Sequence, residues 1–265
     1  MTDTAIPPPP RRGIGDIVFD WILWGGIALL LIGAFMPVEM FRLPLLFSNS
    51  RNMQEYAQGY AHPDLAHWRL YVEKMWLTIQ IALWGTVLAV ILAIPLSLLA
   101  ARNVSPVWVV QPVRRVLDLL RAVPDLVIAT VFIVTVGLSP FAGVLAIALN
   151  TGGVLGKLFS EAVEAMDPRP VEGVRATGAA PIHEVVWGVL PQVAPLWTSF
   201  ALYRFESSAR SATVLGLIGA GGIGKTLFDS LNGFAYDQVA MISIVIVVAV
   251  SIIDFLSGII RKRLL

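Results

Sequence analysis

The chain has 265 residues, of which 57% are hydrophobic and 14% charged, with a mean hydropathy of +0.77 and no cysteine. Soluble domains are nearer half apolar and a quarter charged, so these figures exclude a water-soluble globule, and the missing cysteines exclude disulfides, thiolate metal sites and cysteine nucleophiles. Nineteen Lys and Arg against eighteen Asp and Glu leave a net charge of +1, which excludes a nucleic-acid binder that works by sheer basicity.

Six spans of about 20 residues take roughly 120 and leave about 145 for tails and loops, too few for a separate catalytic domain. Residues 1–16 read as a tail, because Pro7 to Pro10 favour an extended segment. The apolar run Trp21–Val38 is long and lacks a small-residue cleavage site, so it reads as a retained first span rather than a signal peptide. With the loop that follows, it makes a first region over 17–74. Met75–Ala101 gives a second span interrupted by Pro95. In Trp108–Gly137 the charges of Arg114, Arg115, Asp118 and Arg121 predict an amphipathic entry, followed by a third span from Leu119 to Gly137. A tight turn at Leu138–Pro140 leads to a fourth span, Phe141–Val163; the fifth covers Val193–Leu217 and the sixth Val239–Ile260. The expected fold is an all-α polytopic membrane protein.

Orientation follows from the basic residues. With both ends cytoplasmic, twelve Lys and Arg fall in inside segments and five in outside ones, while Arg204 and Arg210 lie in the fifth span. That bias favours cytoplasmic termini. Trp21, Trp24, Trp68, Trp76 and Trp108 near span ends read as interfacial anchors. His62, His67 and His183 lack metal-ligand spacing and read as solvated, so no metal site is expected.

Between the last two spans lies GAGGIGKT, Gly219 to Thr226, which satisfies a phosphate-binding loop pattern letter for letter. Such a loop needs a preceding strand in a parallel sheet, and here a membrane span precedes it. Gly219, Gly221, Gly222 and Gly224 therefore read as a place where backbones pass closely, forming a gate or re-entrant turn beside a permeation path. A nucleotide-hydrolysing enzyme resting on this motif is the weaker reading.

The inside loop 164–192 contains EGVRATGAAPIHEVVWGVLP, Glu172 to Pro191. Ala176, Ala179, Ile182, Val185, Val186 and Val189 give a short helix an apolar stripe, with Glu172, Arg175 and Glu184 on its polar side. A stripe without a partner inside the chain predicts one outside. Glu172, Thr177, Gly178, Ala179, Leu190 and Pro191 fall at the spacing of the cytoplasmic loop of bacterial ABC importer permeases, which this segment resembles. Gly173 and Val174 stand where that family has alanines, and Gly188 where it has isoleucine. The likeness extends over 75–265 through RAVPDLVIATVF, SPFAGVLAIAL and FESSARSATVLGLIGAGGIG, and is similar to the phosphonate-type permeases, a branch close to the methionine importers. The resemblance implies a type I importer core, a docking loop of two short helices joined at the glycine, and a glycine-rich segment that binds no nucleotide.

It also implies partners: a second copy of the permease, two cytoplasmic ATPase subunits that bind the ATP, an extracytoplasmic substrate-binding protein, and the lipid of a bacterial inner membrane. No cofactor and no catalysis are expected of this chain itself. For an oxyanion substrate, Arg210 with Ser207, Ser208, Ser211 and Thr213 offers charge and hydroxyl donors within the fifth span. Glu206, four residues from Arg210, equally allows a pair that braces the helix. Arg204 either contributes or snorkels to a surface, and Asp254 either pairs with Arg261 or lines the bundle. The alternatives are a permease for another small solute such as methionine and an ion-coupled transporter, for which Glu206 is the strong intramembrane carboxylate.

Overall fold

The computed structural model describes residues 13–48 and 50–264, in two units: residues 1–56 and 57–265. The proline tail at 1–12 lies outside the described residues. In the first unit, α1 (Ile14–Phe35) starts seven residues before the expected Trp21, because Asp16 accepts a hydrogen bond from the Gly13 amide and starts the helix there. Its described side chains are exposed except Asp20, which is intermediate. An apolar helix with no packed face suits lipid on every side. A short turn at Met40–Arg42 and α2 (Leu45–Ser48) follow, and α3 (Ser50–Ala61) leads into the second unit. The expected outer loop is thus largely helical.

The second unit is built on α4 (Trp68–Ala100) and α7 (Pro140–Glu164), which run parallel. Gly85 lies against Ile147 and Gly152 against Ala89, so small residues bring the two axes close along one seam. At one end the Arg102 amide donates to Glu164 at 2.7 Å and Asn103 Nδ2 to the Val163 carbonyl at 2.7 Å. Between them come α5 (Val107–Ala122) and α6 (Asp125–Val136), bent by 89°. The expected third span from Leu119 is therefore two helices broken at Val123 and Pro124. α5 is amphipathic as expected, and two of its charges are paired by α7: Lys157 meets Asp118 at 2.9 Å and Glu164 meets Arg114 at 2.7 Å, while Arg121 pairs with Asp118 within α5 and Arg115 is exposed.

After α7 come α8 (Arg169–Ala176), α9 (Pro181–His183), a π-helical turn at Glu184–Val189 and α10 (Leu190–Leu215). A second π-helical turn, Gly216–Ala220, leads into α11 (Gly222–Asn232), and α12 (Tyr236–Leu264) closes the chain. α10 runs antiparallel to α4 and α7. Near its start Trp197 stacks on Phe159, ring centroids 4.7 Å apart, and donates its indole N–H to the Phe159 carbonyl; near its end Ala212 and Leu215 pack with Ile81 and Ile147. No strand occurs among the described residues. Among the described residues five helices are long and apolar enough to cross a membrane, six with the bent α5–α6 pair.

Loop residues are tied down at the α4 start. Asp64 accepts from His67 Nδ1, the Tyr71 hydroxyl and the Ala66 amide. Burial works to raise its pKa, but these bonds together outweigh burial and hold the carboxyl below its usual range. His67 is thus a paired residue, not merely a solvated one.

Trp197→Ala removes a buried stacked ring together with its indole N–H bond to the Phe159 carbonyl, so it is expected to cost about 3–5 kcal/mol. Thermal unfolding of the purified protein in detergent measures this, with Trp197→Phe, which keeps a ring, expected to lose less.

Candidate functional site

On α10, Ser207, Arg210, Ser211 and Val214 fall at spacings of three and four and so share one face. That face, with Leu215, forms one wall of a cleft of about 320 Å³ whose other wall is Pro124, Asp125 and Leu126 at the α5–α6 break. Three of the five expected pathway residues therefore come together. Ser208 is turned about 100° from Ser207 around the helix and is buried, its hydroxyl without a partner among the described residues. The Thr213 hydroxyl donates to the Ala209 carbonyl at 3.2 Å. Both lie off the cleft. Asp125 is a residue that sequence reasoning passed over; the signal available was a carboxylate directly after a proline at the head of an apolar run.

Glu206 and Arg210 pair at 3.2 Å, four residues apart, and Arg261 of α12 reaches the other Glu206 oxygen at 3.5 Å. Asp254 faces Arg210 at 3.9 Å rather than Arg261. Two cations and two carboxylates thus join α10 to α12, yet Arg210 stays 50% exposed while Glu206 is only 13% exposed. Arg204 does not snorkel: its Nη2 lies 3.4 Å from the Thr151 hydroxyl on α7, and its Nε is buried without a partner among the described residues.

The glycine-rich segment is a packed reversal. Gly222 has φ +71 and sits against the Thr78 hydroxyl, which accepts the Ile223 amide at 2.9 Å, and a Cβ at Gly224 would overlap the Thr213 carbonyl oxygen on α10. Gly219 and Gly221 also have positive φ, and Gly219 lies against Leu138 in the α6–α7 turn. Ile223 is buried with Tyr71, Met75 and Ile242, whereas Lys225 is exposed. A helix, not a strand, precedes the motif, and its amides are turned to helix packing.

At the other end of α10 the chain makes an elbow. Gly178 has φ +77 and separates α8 from α9, so the expected single apolar stripe is divided: Val189 is buried in the bundle while Ile182 and Trp187 stand 64% and 68% exposed. Arg175 bridges the elbow to Glu184 through two hydrogen bonds, 3.1 and 2.8 Å. That carboxylate raises the Arg175 pKa above its ordinary value. The side chain lost at Gly188 is replaced by α8 itself, since Val171 fills the space a Cβ would take. Glu172, Thr177, Gly178 and Pro191 are exposed, and Ala179 and Leu190 partly so. Among the described residues no group of His, Asp and Glu side chains is placed to hold a metal ion.

The family described as binding-protein-dependent transport system inner membrane component matches residues 93–265. The phosphite transport system permease protein PtxC of Stutzerimonas stutzeri is 41% identical over 202 residues, covering 76% of this chain and 74% of that protein. A phosphonate transport system permease protein of Escherichia coli (strain K12) is 56% identical over 119 residues, 45% of this chain and 98% of the relative. In fold, the chain is similar to a chain of the methionine ABC transporter MetNI in an inward-facing conformation, with a TM-score of 0.67 at 18% identity over 76% of this chain and 99% of the other.

Two neighbouring substitutions separate packing from phosphate chemistry in the glycine-rich segment. Gly224→Ala is expected to destabilise by about 3 kcal/mol, because the added methyl meets backbone rather than a movable side chain. Lys225→Ala is expected to stay within about 0.5 kcal/mol of the parent; unfolding midpoints of the two variants in detergent decide it.

Proposed function

The chain belongs to the binding-protein-dependent transport system inner membrane components, and we propose that it is the permease subunit of an ATP-driven importer for a phosphorus oxyanion of the phosphite or phosphonate class. The observation that carries the coupling half of this reading is the elbow at Gly178, with Ile182 and Trp187 projecting beside Glu172. Exposed aromatic and aliphatic anchors on a rigid, ion-paired elbow are what a partner groove would take up. The elbow lies at the end of the bundle that holds Arg102, Arg114, Arg169 and Arg175, which supports placing it in the cytoplasm.

In this proposal two copies enclose the path, and one ATPase subunit docks on each elbow around Glu172, Thr177, Gly178, Ala179, Leu190 and Pro191. An extracytoplasmic binding protein releases substrate at the opposite end, near Gly219, Gly221, Gly222 and Gly224, which act there as gate. Both termini are cytoplasmic and the membrane is the bacterial inner membrane. ATP is bound and hydrolysed by the partner subunits, and this polypeptide makes and breaks no covalent bond. Closure of the ATPases moves the elbows, α10 carries the movement to the cleft, and the access side alternates. The substrate half of the reading is supported by the names of the relatives and by the cleft, where Arg210, Ser207 and Ser211 supply the donors an oxyanion requires.

Ile182→Ala and Trp187→Ala are each expected to weaken ATPase association about 30-fold, the scale of losing an interface anchor. Co-purification from membranes measures this. Arg210→Ala is expected to assemble with the ATPase subunits but to import phosphite poorly. Full uptake by the Trp187 variant, with the ATPase subunits retained in the purified complex at the parent level, would sink the docking assignment.

A further inference from the structure

The cleft between α10 and the α5–α6 break contains one group that an anion path does not require, and that group is Asp125. Arg210 keeps half its surface open although Glu206 and Asp254 both face it. The hydroxyls of Ser207 and Ser211 bond no other described residue. By contrast, those of Thr78, Thr86, Thr198 and Thr213 each turn back to the carbonyl four residues earlier, the ordinary recourse of a hydroxyl on a membrane helix. From the opposite wall Asp125, half-buried, accepts no hydrogen bond and forms no ion pair among the described residues. Arg204 is within electrostatic reach of it, and Arg261 is occupied by Glu206. The Asp125 charge sits in the first turn of α6, where the helix dipole favours an anion, and it repels the very anions that Arg210 attracts.

Resting on the oxyanion reading above, we propose that Asp125 makes the cleft selective for a tetrahedral oxyanion that carries a proton. The unprotonated oxygens accept from the Arg210 guanidinium and from the Ser207 and Ser211 hydroxyls, while the P–OH group donates to the Asp125 carboxylate. A phosphoryl group loses its second proton near pH 6, at about the phosphoester value, so a share of it carries that proton in neutral solution. Sulfate has no proton to donate and sets a charged oxygen against Asp125. The carboxylate thus rewards the first anion and penalises the second, the two ways in which a site discriminates.

The test uses the permease assembled with its ATPase subunits in lipid nanodiscs, without the binding protein, so that the binding protein's own selectivity does not enter. Phosphite and sulfate are titrated separately and the shift in thermal unfolding is followed. The parent complex is expected to respond to phosphite and not to sulfate. Asp125→Asn, which can donate as well as accept, is expected to bind phosphite about tenfold more weakly and to respond to sulfate. Asp125→Glu, which keeps the acceptor, is expected to retain the preference for phosphite, and carries the test alone should Asp125→Asn not assemble. Ser211→Ala is expected to weaken phosphite without admitting sulfate. An Asp125→Asn complex with the parent preference, or an Asp125→Glu complex open to sulfate, overturns the proposal. A parent complex that imports phosphite with its binding protein yet shows no preference here also overturns it while leaving the transport reading intact. Absence of phosphite and phosphonate uptake by the complete parent transporter would instead overturn the reading on which it rests.

Discussion

Two helices that lie parallel cannot be joined by a short loop, and this constraint shapes most of the second unit. α4 and α7 meet along a seam of small residues, with Ala89, Ala93 and Gly152 at its centre. Both end where Arg102 and Asn103 bond Glu164 and Val163. The chain must therefore recross the whole depth of the bundle between Ala100 and Pro140. α6 alone, at 12 residues, reaches roughly 18 Å, well short of an apolar thickness of about 30 Å. α5 covers the remainder by packing along α7, its Leu117 against Gly156 and its Leu120 against Gly153. The crossing is broken at Val123 and Pro124, and the break is where the wall of the cleft and Asp125 come from.

The same constraint explains what could and could not be read in the sequence. Long apolar runs gave five of the spans to within a few residues at most ends, because hydropathy over about 20 positions leaves few alternatives. The amphipathic entry before the third span was legible from Arg114, Arg115, Asp118 and Arg121, but the break at Val123 and Pro124 and the packing of α5 along α7 were not. Two of these charges find their partners some 40 to 50 positions away in the chain, Asp118 at Lys157 and Arg114 at Glu164. Pairing across such a separation has no local pattern. The serines of α10 show the finer limit. Their presence near Arg210 was legible, but which of them share its face follows from the period of the helix, and that the opposite wall would be Asp125 follows only from the bend.

The phosphate-loop pattern in GAGGIGKT shows the converse, a strong string with the wrong surroundings. Glycines serve a phosphate loop because a ligand must come close to the backbone, and they serve here because another helix does. Gly222 and Gly224 admit Thr78 from α4 and the Thr213 carbonyl from α10, so the approach that would have received an anion is filled by protein. The lysine that would complete a nucleotide site is exposed at the start of α11. Context decided the matter before the geometry did, since no strand leads into the motif.

Pairing of Glu206 with Arg210 and reception of an anion by Arg210 stood as alternatives in the sequence, and the geometry makes them compatible. Glu206 is shared between Arg210 and Arg261, so its carboxylate is satisfied from α12 when Arg210 turns to the cleft, and Asp254 sits at ion-pair distance rather than hydrogen-bond distance. A charge cluster that sums to zero can lie in an apolar bundle, while one exposed cation within it still presents donors to a passing solute. α10 is the element that joins these parts: the elbow precedes it, its last third lines the cleft and the glycine reversal follows it. It is bounded on both sides by π-helical turns, Glu184–Val189 and Gly216–Ala220. Such turns interrupt the regular hydrogen-bond register of a helix. Movement of the elbow therefore meets a rod between two points of altered register, with Arg210, Ser207 and Ser211 fixed on the rod and Asp125 fixed on the broken crossing opposite. Relative displacement of those two walls changes the distance between Arg210 and Asp125, and in the proposed importer this is the geometric route by which a docking event at one end of the bundle would be felt in the cleft.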